Sequence, residues 1–308
     1  MLPKRKFGRH DCQVSILAMG CGNRLYAAYR EDAGVQALQL AIDGGITYFD
    51  TAQSYGKGTS ESWVGLAAEG RREQLFLATK TMARGYDEVL REFEASLARL
   101  RTSYVDLFHI HHLMFEEDLR RIETEGALRA VEQLRDQKAA RFIGITSHTD
   151  PATLALALDR HGFDAVQMPL NAGLQGRSPD GEGFWKKTAP GAPRDFFAEA
   201  LPPVPHPGSS FEDIALPVAV RRGIAVIAMK VTAQDGLAGT GRGRASGRDL
   251  IRYSLSLPIT VASVGMPNLT VLRENLETAR TFEPMPPEEM RALSSRLADE
   301  NGAIQAAI

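Results

Sequence analysis

Short apolar runs alternate with longer amphipathic segments along most of this chain. The runs lie near 15–19, 46–50, 75–80, 104–111, 141–146, 164–168, 224–229 and 260–264. Between them, apolar residues recur at helical spacing, most clearly over 86–100 and 120–138; in the first, Val89, Leu90, Phe93, Leu97 and Leu100 form one stripe. Parallel strands need long connections and a helix supplies one, so this alternation predicts a parallel sheet with helical crossovers. Eight strand and helix pairs predict an α/β fold, a (β/α)8 TIM barrel, as a single domain over 1–308. Ahead of the first run, Lys6 to Ser15 reads as a β-hairpin with the polar turn Gly8 to Asp11, placed to cover the bottom of the barrel. Beyond the last run, 286–299 reads as an extra C-terminal helix started by Pro286, Pro287 and Glu288.

One stretch breaks the rhythm. From Asn171 to Ser210 the chain is rich in Gly and Pro, with Phe184, Trp185, Phe196 and Phe197 interspersed. Loops of this length inside a compact domain are usually functional or disordered. Barrel active sites lie in the loops that follow the strands. The expectation is therefore a substrate lid after the sixth strand, with Trp185 in the substrate pocket.

Composition narrows the partners. The 308 residues carry a formal net charge of −2 and the arginines are scattered, which argues against a nucleic-acid partner. Cys12 and Cys21 are too few for a disulfide framework. The opening Met-Leu-Pro-Lys-Arg-Lys has no apolar core, and no apolar stretch approaches the roughly 20 residues that span a bilayer, so a soluble cytoplasmic protein is expected.

The candidate chemistry sits where apolar runs end in polar residues. Asp50 closes one run, Lys80 the next and His111 the next, with Tyr55 five residues past Asp50. If these runs are neighbouring parallel strands, an acid, an ammonium, an imidazole and a phenol converge at one rim. A phenol titrating near 10 can donate a proton, but its conjugate base needs help at neutral pH. A nearby Lys80 would stabilise that base, Asp50 would keep Lys80 charged and aimed, and His111 would hydrogen-bond a substrate oxygen. Singly, each has an ordinary reading: a snorkelling lysine, a surface tyrosine, a buried core histidine. It is their joint occurrence that points to proton transfer.

Three motifs then carry a resemblance. Gly-Ile-Thr-Tyr-Phe-Asp-Thr-Ala-Gln-Ser-Tyr-Gly over 45–56, Ala-Thr-Lys over 78–80 and Val-Asp-Leu-Phe-His-Ile-His over 105–111 occur in order. In these the chain resembles the aldo-keto reductase family, from about Val14 to Leu276. The resemblance implies NAD(P)H-dependent reduction of an aldehyde or ketone, with Asp50, Tyr55, Lys80 and His111 catalytic, and selects His111 over His109 and His112. It also implies that Thr146, Ser147 and Gln167 hold the carboxamide. Met229 stands at the family's nicotinamide-packing position, and Lys230, which follows it near the same rim, is counted with the cofactor-binding residues. The eighth-strand element with Gly265 and Asn268, followed by Arg273, Glu274 and Asn275, is similar to the family's dinucleotide-binding segment, where a helix N-terminus receives phosphate.

Departures qualify the details. Gly265, Met266 and Val271 stand where many members bind the 2′-phosphate with Lys, Ser and Arg, so NADPH and NADH are both expected, NADP(H) being slightly favoured. Met229 replaces a common stacking Tyr. His112 stands where a pocket Trp is common, which implies a polar pocket and an oxygenated or sugar-like carbonyl compound. Two rival readings are a metal-dependent hydrolase using His109 and His111, which alternate along one strand, and a non-catalytic nucleotide-binding subunit. No metal is expected, and the oligomeric state is open.

Overall fold

The computed structural model describes residues 1–176, 209–233 and 235–305. A two-stranded antiparallel hairpin, β1 (Lys4–Lys6) and β2 (Gln13–Ser15), precedes eight parallel strands. These are β3 (Leu17–Gly20), β4 (Tyr48–Asp50), β5 (Phe76–Thr81), β6 (Val105–Leu113), β7 (Ala140–Ser147), β8 (Ala165–Pro169), β9 (Ala225–Met229) and β10 (Val261–Gly265). They close into a barrel because β10 pairs with both β9 and β3. The protein is thus a (β/α)8 TIM barrel with an N-terminal hairpin, and each predicted run falls on one of its strands.

Eleven α-helices are formed among the described residues: α1 (Asn23–Tyr26), α2 (Glu31–Asp43), α3 (Thr59–Ala67), α4 (Tyr86–Leu100), α5 (Glu116–Thr124), α6 (Ala127–Asp136), α7 (Pro151–Arg160), α8 (Ala215–Arg221), α9 (Gly247–Ser256), α10 (Leu269–Arg280) and α11 (Pro287–Gln305). Helix α4 matches the predicted 86–100 segment, and α11 is the expected C-terminal helix, extended past 299. None of the described helices is long and apolar enough to cross a membrane.

The expected single helix over 120–138 is instead two. Gly126, between α5 and α6, has φ 105°, a left-handed conformation that glycine reaches without a Cβ clash. A Cβ there would also lie 2.8 Å from that of Tyr86, because Gly126 bridges Gly85 in the loop after β5. Apolar periodicity continues across the break and conceals it.

Inside the barrel the layers change character from bottom to top. At the bottom Phe7 of the hairpin packs 4.7 Å from the Phe76 ring and 5.1 Å from Phe142, and Tyr48, Ala78, Leu107, Ile227 and Val261 join this plug. The hairpin therefore closes the lower mouth, as predicted. Above the plug, strand alternation brings Asp50, Lys80, His109, Gln167 and Ser263 inward. Gly144 faces this polar layer without a side chain, because the His109 ring fills its place. A Cβ on Gly144 would lie 2.5 Å from His109 Nδ1 and 2.8 Å from Ala165 O. Gly144→Ala is accordingly expected to cost about 1–3 kcal/mol, seen as a lower urea midpoint at unchanged m-value; an unshifted midpoint would show that the layer has room.

Candidate active site

The upper mouth is built from strand ends. Lys80, 1% exposed, places Nζ 2.7 Å from Asp50 Oδ1 and 2.7 Å from Thr51 O. The other Asp50 oxygen accepts from Gln167 Nε2 at 2.7 Å and Ser263 Oγ at 3.2 Å. One carboxylate thus gathers groups from β5, β8 and β10. Thr51 is itself tied to Ser60, whose hydroxyl donates to Cys21 O at 2.6 Å, so the carbonyl under Lys80 is anchored to the loop after β3.

Tyr55 opens a single irregular turn just before α3. Its ring centre lies 5.0 Å from Lys80 Nζ and 5.9 Å from the His111 ring, edge to face. The structure therefore brings together the four side chains singled out at the strand ends. Burial, and then the Asp50 carboxylate, hold the Tyr55 phenol well above its ordinary pKa. The Lys80 charge is largely committed to Asp50, so desolvation prevails and the phenol keeps its proton at neutral pH. His111 is pushed the other way. Burial first, then Lys80, His112, His148 and His109, lower its imidazolium well below the ordinary value, and the ring is neutral at pH 7.

His112 shares this mouth. Its ring meets His148 edge to face at 5.5 Å, and Nε2 lies 3.4 Å from Thr149 Oγ1. Burial, then Arg84, brings the His112 imidazolium down to about 4. Lys230 follows β9 with φ 55°, and its ammonium is lowered to about 7 by burial and then by Arg24. Trp185 and most of the expected lid over 171–210 lie outside the described residues. The described flanks of that segment are held by Asn171, which donates to Lys230 O at 3.0 Å, and by a bridge between Gly176 and Ser210.

The positions assigned to a dinucleotide form a path from the mouth to α10. Gln167 Oε1 is buried with no hydrogen-bond partner among the described residues, which suits an amide donor. Asn275 Nδ2 on α10 is likewise buried and unpartnered among those residues, which suits a ring-nitrogen acceptor. Met229 at the end of β9 is buried, while Arg273 and Glu274 are exposed on α10. Gly265 is covered by Arg24, whose Cβ would be 2.7 Å from an added side chain. Arg24 pairs with Asp235 at 2.7 Å and so joins the loops after β3 and β9. Some hydroxyl and amide groups are already engaged: Thr146 Oγ1 accepts from His112 N at 2.9 Å, Ser147 Oγ donates to Leu113 O at 2.7 Å, and Asn268 Oδ1 caps α10 through Val271 N at 2.9 Å.

A family model, the Aldo/keto reductase family, matches residues 18–178. The chain belongs to the aldo/keto reductase family. Among relatives, the uncharacterized oxidoreductase YqkF of Bacillus subtilis is 31% identical over 156 residues, 47% of this chain and 48% of that protein. Methylglyoxal reductase YeaE of Escherichia coli is 37% identical over 127 residues, 39% of this chain and 45% of that one. The chain thus spans about half the length of the curated relatives it matches. Among solved structures, an aldo-keto reductase from Bacillus halodurans in its holo form superposes with a TM-score of 0.74 at 21% identity, covering 97% of both chains. An aldo-keto reductase from Klebsiella pneumoniae in complex with NADPH gives 0.71 at 21% identity, over 97% of this chain and 96% of that one.

Two side chains that hold the site of this family member went unread in its sequence. Ser263 lies inside a predicted run, where inward alternation with Val261 was the available signal; its bond to Asp50 joins residues 213 positions apart. Arg84 follows Lys80's strand and carries no local signal. His109 is buried beneath the mouth, and burial, then Lys80, lowers its imidazolium well below the ordinary value. Among the described residues, no group of three or more His, Cys, Asp or Glu side chains is placed to hold a metal ion, so the His109 and His111 pair has no third ligand there. A separate cleft of about 530 Å³ at the opposite end is lined by residues that include Leu2, Cys12, Phe76, Asp106 and Arg141. Two of its charged residues, Asp106 and Arg141, pair with each other at 2.7 Å.

Proposed function

We propose that the protein reduces an aldehyde or ketone, oxygenated or sugar-like, to an alcohol with NADPH or NADH, NADPH being the better donor. The observation that carries this reading is the buried Lys80 ammonium, fixed at 2.7 Å by Asp50 and 5.0 Å from the ring centre of a proton-holding Tyr55. When bound, the nicotinamide supplies hydride to the carbonyl carbon. Every other task falls to the chain. Tyr55 donates its proton to the carbonyl oxygen as negative charge develops there. Its high pKa keeps the proton in place until that moment, and Lys80 then stabilises the phenolate left behind. Asp50, held by Gln167 and Ser263, keeps Lys80 charged and stationary. Neutral His111 donates a hydrogen bond to the same substrate oxygen, which sets the carbonyl face.

Binding is assigned to the path described above. Gln167 Oε1 accepts from the carboxamide, with Thr146 and Ser147 beside it, and Asn275 Nδ2 donates to the adenine, flanked by Arg273 and Glu274. Met229 packs near the nicotinamide, Lys230 and the Gly265 to Asn268 turn face the phosphates, and His112 gives the substrate pocket a polar wall. The NADPH complex of the Klebsiella pneumoniae neighbour and the methylglyoxal reductase relative support the same chemistry. The test is fluorescence titration with NADPH and NADH, then turnover on a panel of apolar aldehydes, hydroxylated aldehydes and ketoses. Tighter NADPH binding and faster hydroxylated substrates are expected; tight binding with no carbonyl reduced would favour a binding protein instead.

A further inference from the structure

Strand alternation alone would put His111 and His112 on opposite sides of β6. In the folded chain both belong to the upper mouth, because β6 carries one extra residue against β7. Ile110 pairs with Ile145, but Leu113 pairs with Ser147, so three steps on one strand oppose two on the other. Such a bulge re-aims side chains and removes local ladder partners. It also places His112 at φ 61°, a conformation that a non-glycine residue keeps only when its surroundings hold it there.

Arg84 supplies much of that hold. The residue is 7% exposed, and Nη2 lies 3.1 Å from His111 O, 3.2 Å from His112 O and 2.8 Å from Asp118 Oδ2. Nε reaches Asp118 Oδ1 at 2.8 Å, and Nη1 reaches Met82 O at 3.1 Å. One nitrogen, Nη2, thus reaches both displaced carbonyls, while the two-point pairing of Nε and Nη2 with Asp118 and the Nη1 bond to Met82 O fix the plane that aims it. Burial, the largest single influence, pushes the Asp118 carboxyl up, but the bonds and charge of Arg84, the Met114 N–H and the Arg121 charge together leave it below the ordinary value. The backbone of Arg84 is pinned as well: its carbonyl accepts from Ala127 N at 2.9 Å, next to the Gly126 break. Opposite, Thr146 Oγ1 takes the His112 N–H at 2.9 Å.

We propose that Arg84 is a positioning residue that fixes the β6 bulge and so aims His111 and His112 together at the substrate. Its kinetic consequence rests on the reductase reading; its structural consequence does not. Lysine at this position keeps the charge opposite Asp118 but lacks the two-point pairing with that carboxylate and the third nitrogen on Met82 O, which together aim Nη2 at the two carbonyls.

The test compares wild type, Arg84→Lys and Arg84→Ala by histidine-ring NMR, dinucleotide titration and turnover. In Arg84→Lys the His111 and His112 ring signals should shift or broaden while those of His10 and His161 stay in place. Dinucleotide Kd should remain within about twofold, and kcat should fall by about tenfold or more, with the loss in kcat rather than KM. Guanidinium ion should restore the ring signals and kcat of Arg84→Ala, and ammonium should not. Unchanged His111 and His112 signals in Arg84→Lys, or equal rescue by ammonium, would overturn the proposal. Should Arg84→Lys fail to fold, Asp118→Asn, which keeps the donors but loosens their plane, must move the same two signals, and its failure to do so overturns the proposal equally. If wild type reduces no carbonyl, the reductase reading fails, while the ring signals still decide the role of Arg84.

Discussion

Tyr55→Phe should lower kcat for carbonyl reduction by a factor of about 100 or more, the scale of a positioned general acid, while dinucleotide Kd stays within about twofold. The substitution removes one hydroxyl and keeps the ring that packs edge to face with His111 at 5.9 Å. The mouth therefore keeps its shape. The phenol's raised pKa has a kinetic signature too: in the reduction direction the proton is present across pH 6–8, so wild-type kcat should show no basic limb from Tyr55 in that range. Stopped-flow measurement of dinucleotide oxidation, with binding followed separately by fluorescence, separates the chemical step from affinity. Turnover by Tyr55→Phe at the wild-type rate would remove Tyr55 from its assigned role.

Lys80→Met should affect both rate and stability, and the two effects come apart in a second variant. Methionine has nearly the length of lysine but leaves Asp50 as a buried carboxylate with Gln167 and Ser263 as its remaining side-chain donors. Breaking one side of a buried pair costs about 3–5 kcal/mol, so a clear loss of thermal stability is expected together with a turnover loss comparable to that of Tyr55→Phe. In the double variant Asp50→Asn with Lys80→Met no unpaired charge remains, and most of the stability should return without the activity. Calorimetry and single-turnover kinetics on wild type, Lys80→Met and the double variant make the comparison. Recovery of turnover alongside stability would mean that Lys80 serves the fold rather than the chemistry.

Much of the barrel was legible because its signals are local. A run of β-forming residues closed by a charge needs no distant partner to be recognised, and the amphipathic stripe over 86–100 declares a helix against a core. Asp50, Lys80 and His111 were visible for the same reason, each being an acid or base where alternation predicts burial. The error at 120–138 arose where that logic is blind. Apolar spacing continued through Gly126, whose left-handed conformation answers to Tyr86 and Gly85 across the loop rather than to its neighbours in sequence. Asn268 shows a related limit: its side-chain oxygen also caps α10, and only its bond to Val271 N reveals this.

Residue order along the chain sufficed for the alternating architecture, the paired lower plug of hairpin and barrel, and the identity of the acid, base, phenol and imidazole. It could not establish that Asp50 would also bind Gln167 and Ser263, 117 and 213 residues away, since those contacts exist only once the sheet closes on itself. Nor could it place His112 beside His111. Periodicity assigns adjacent strand residues to opposite faces, and the bulge that reverses this assignment is stabilised by a guanidinium from the preceding loop and a hydroxyl from the next strand. Local patterning is encoded by neighbours, whereas the aim of a side chain at the mouth is set by hydrogen bonds among segments that meet only in three dimensions.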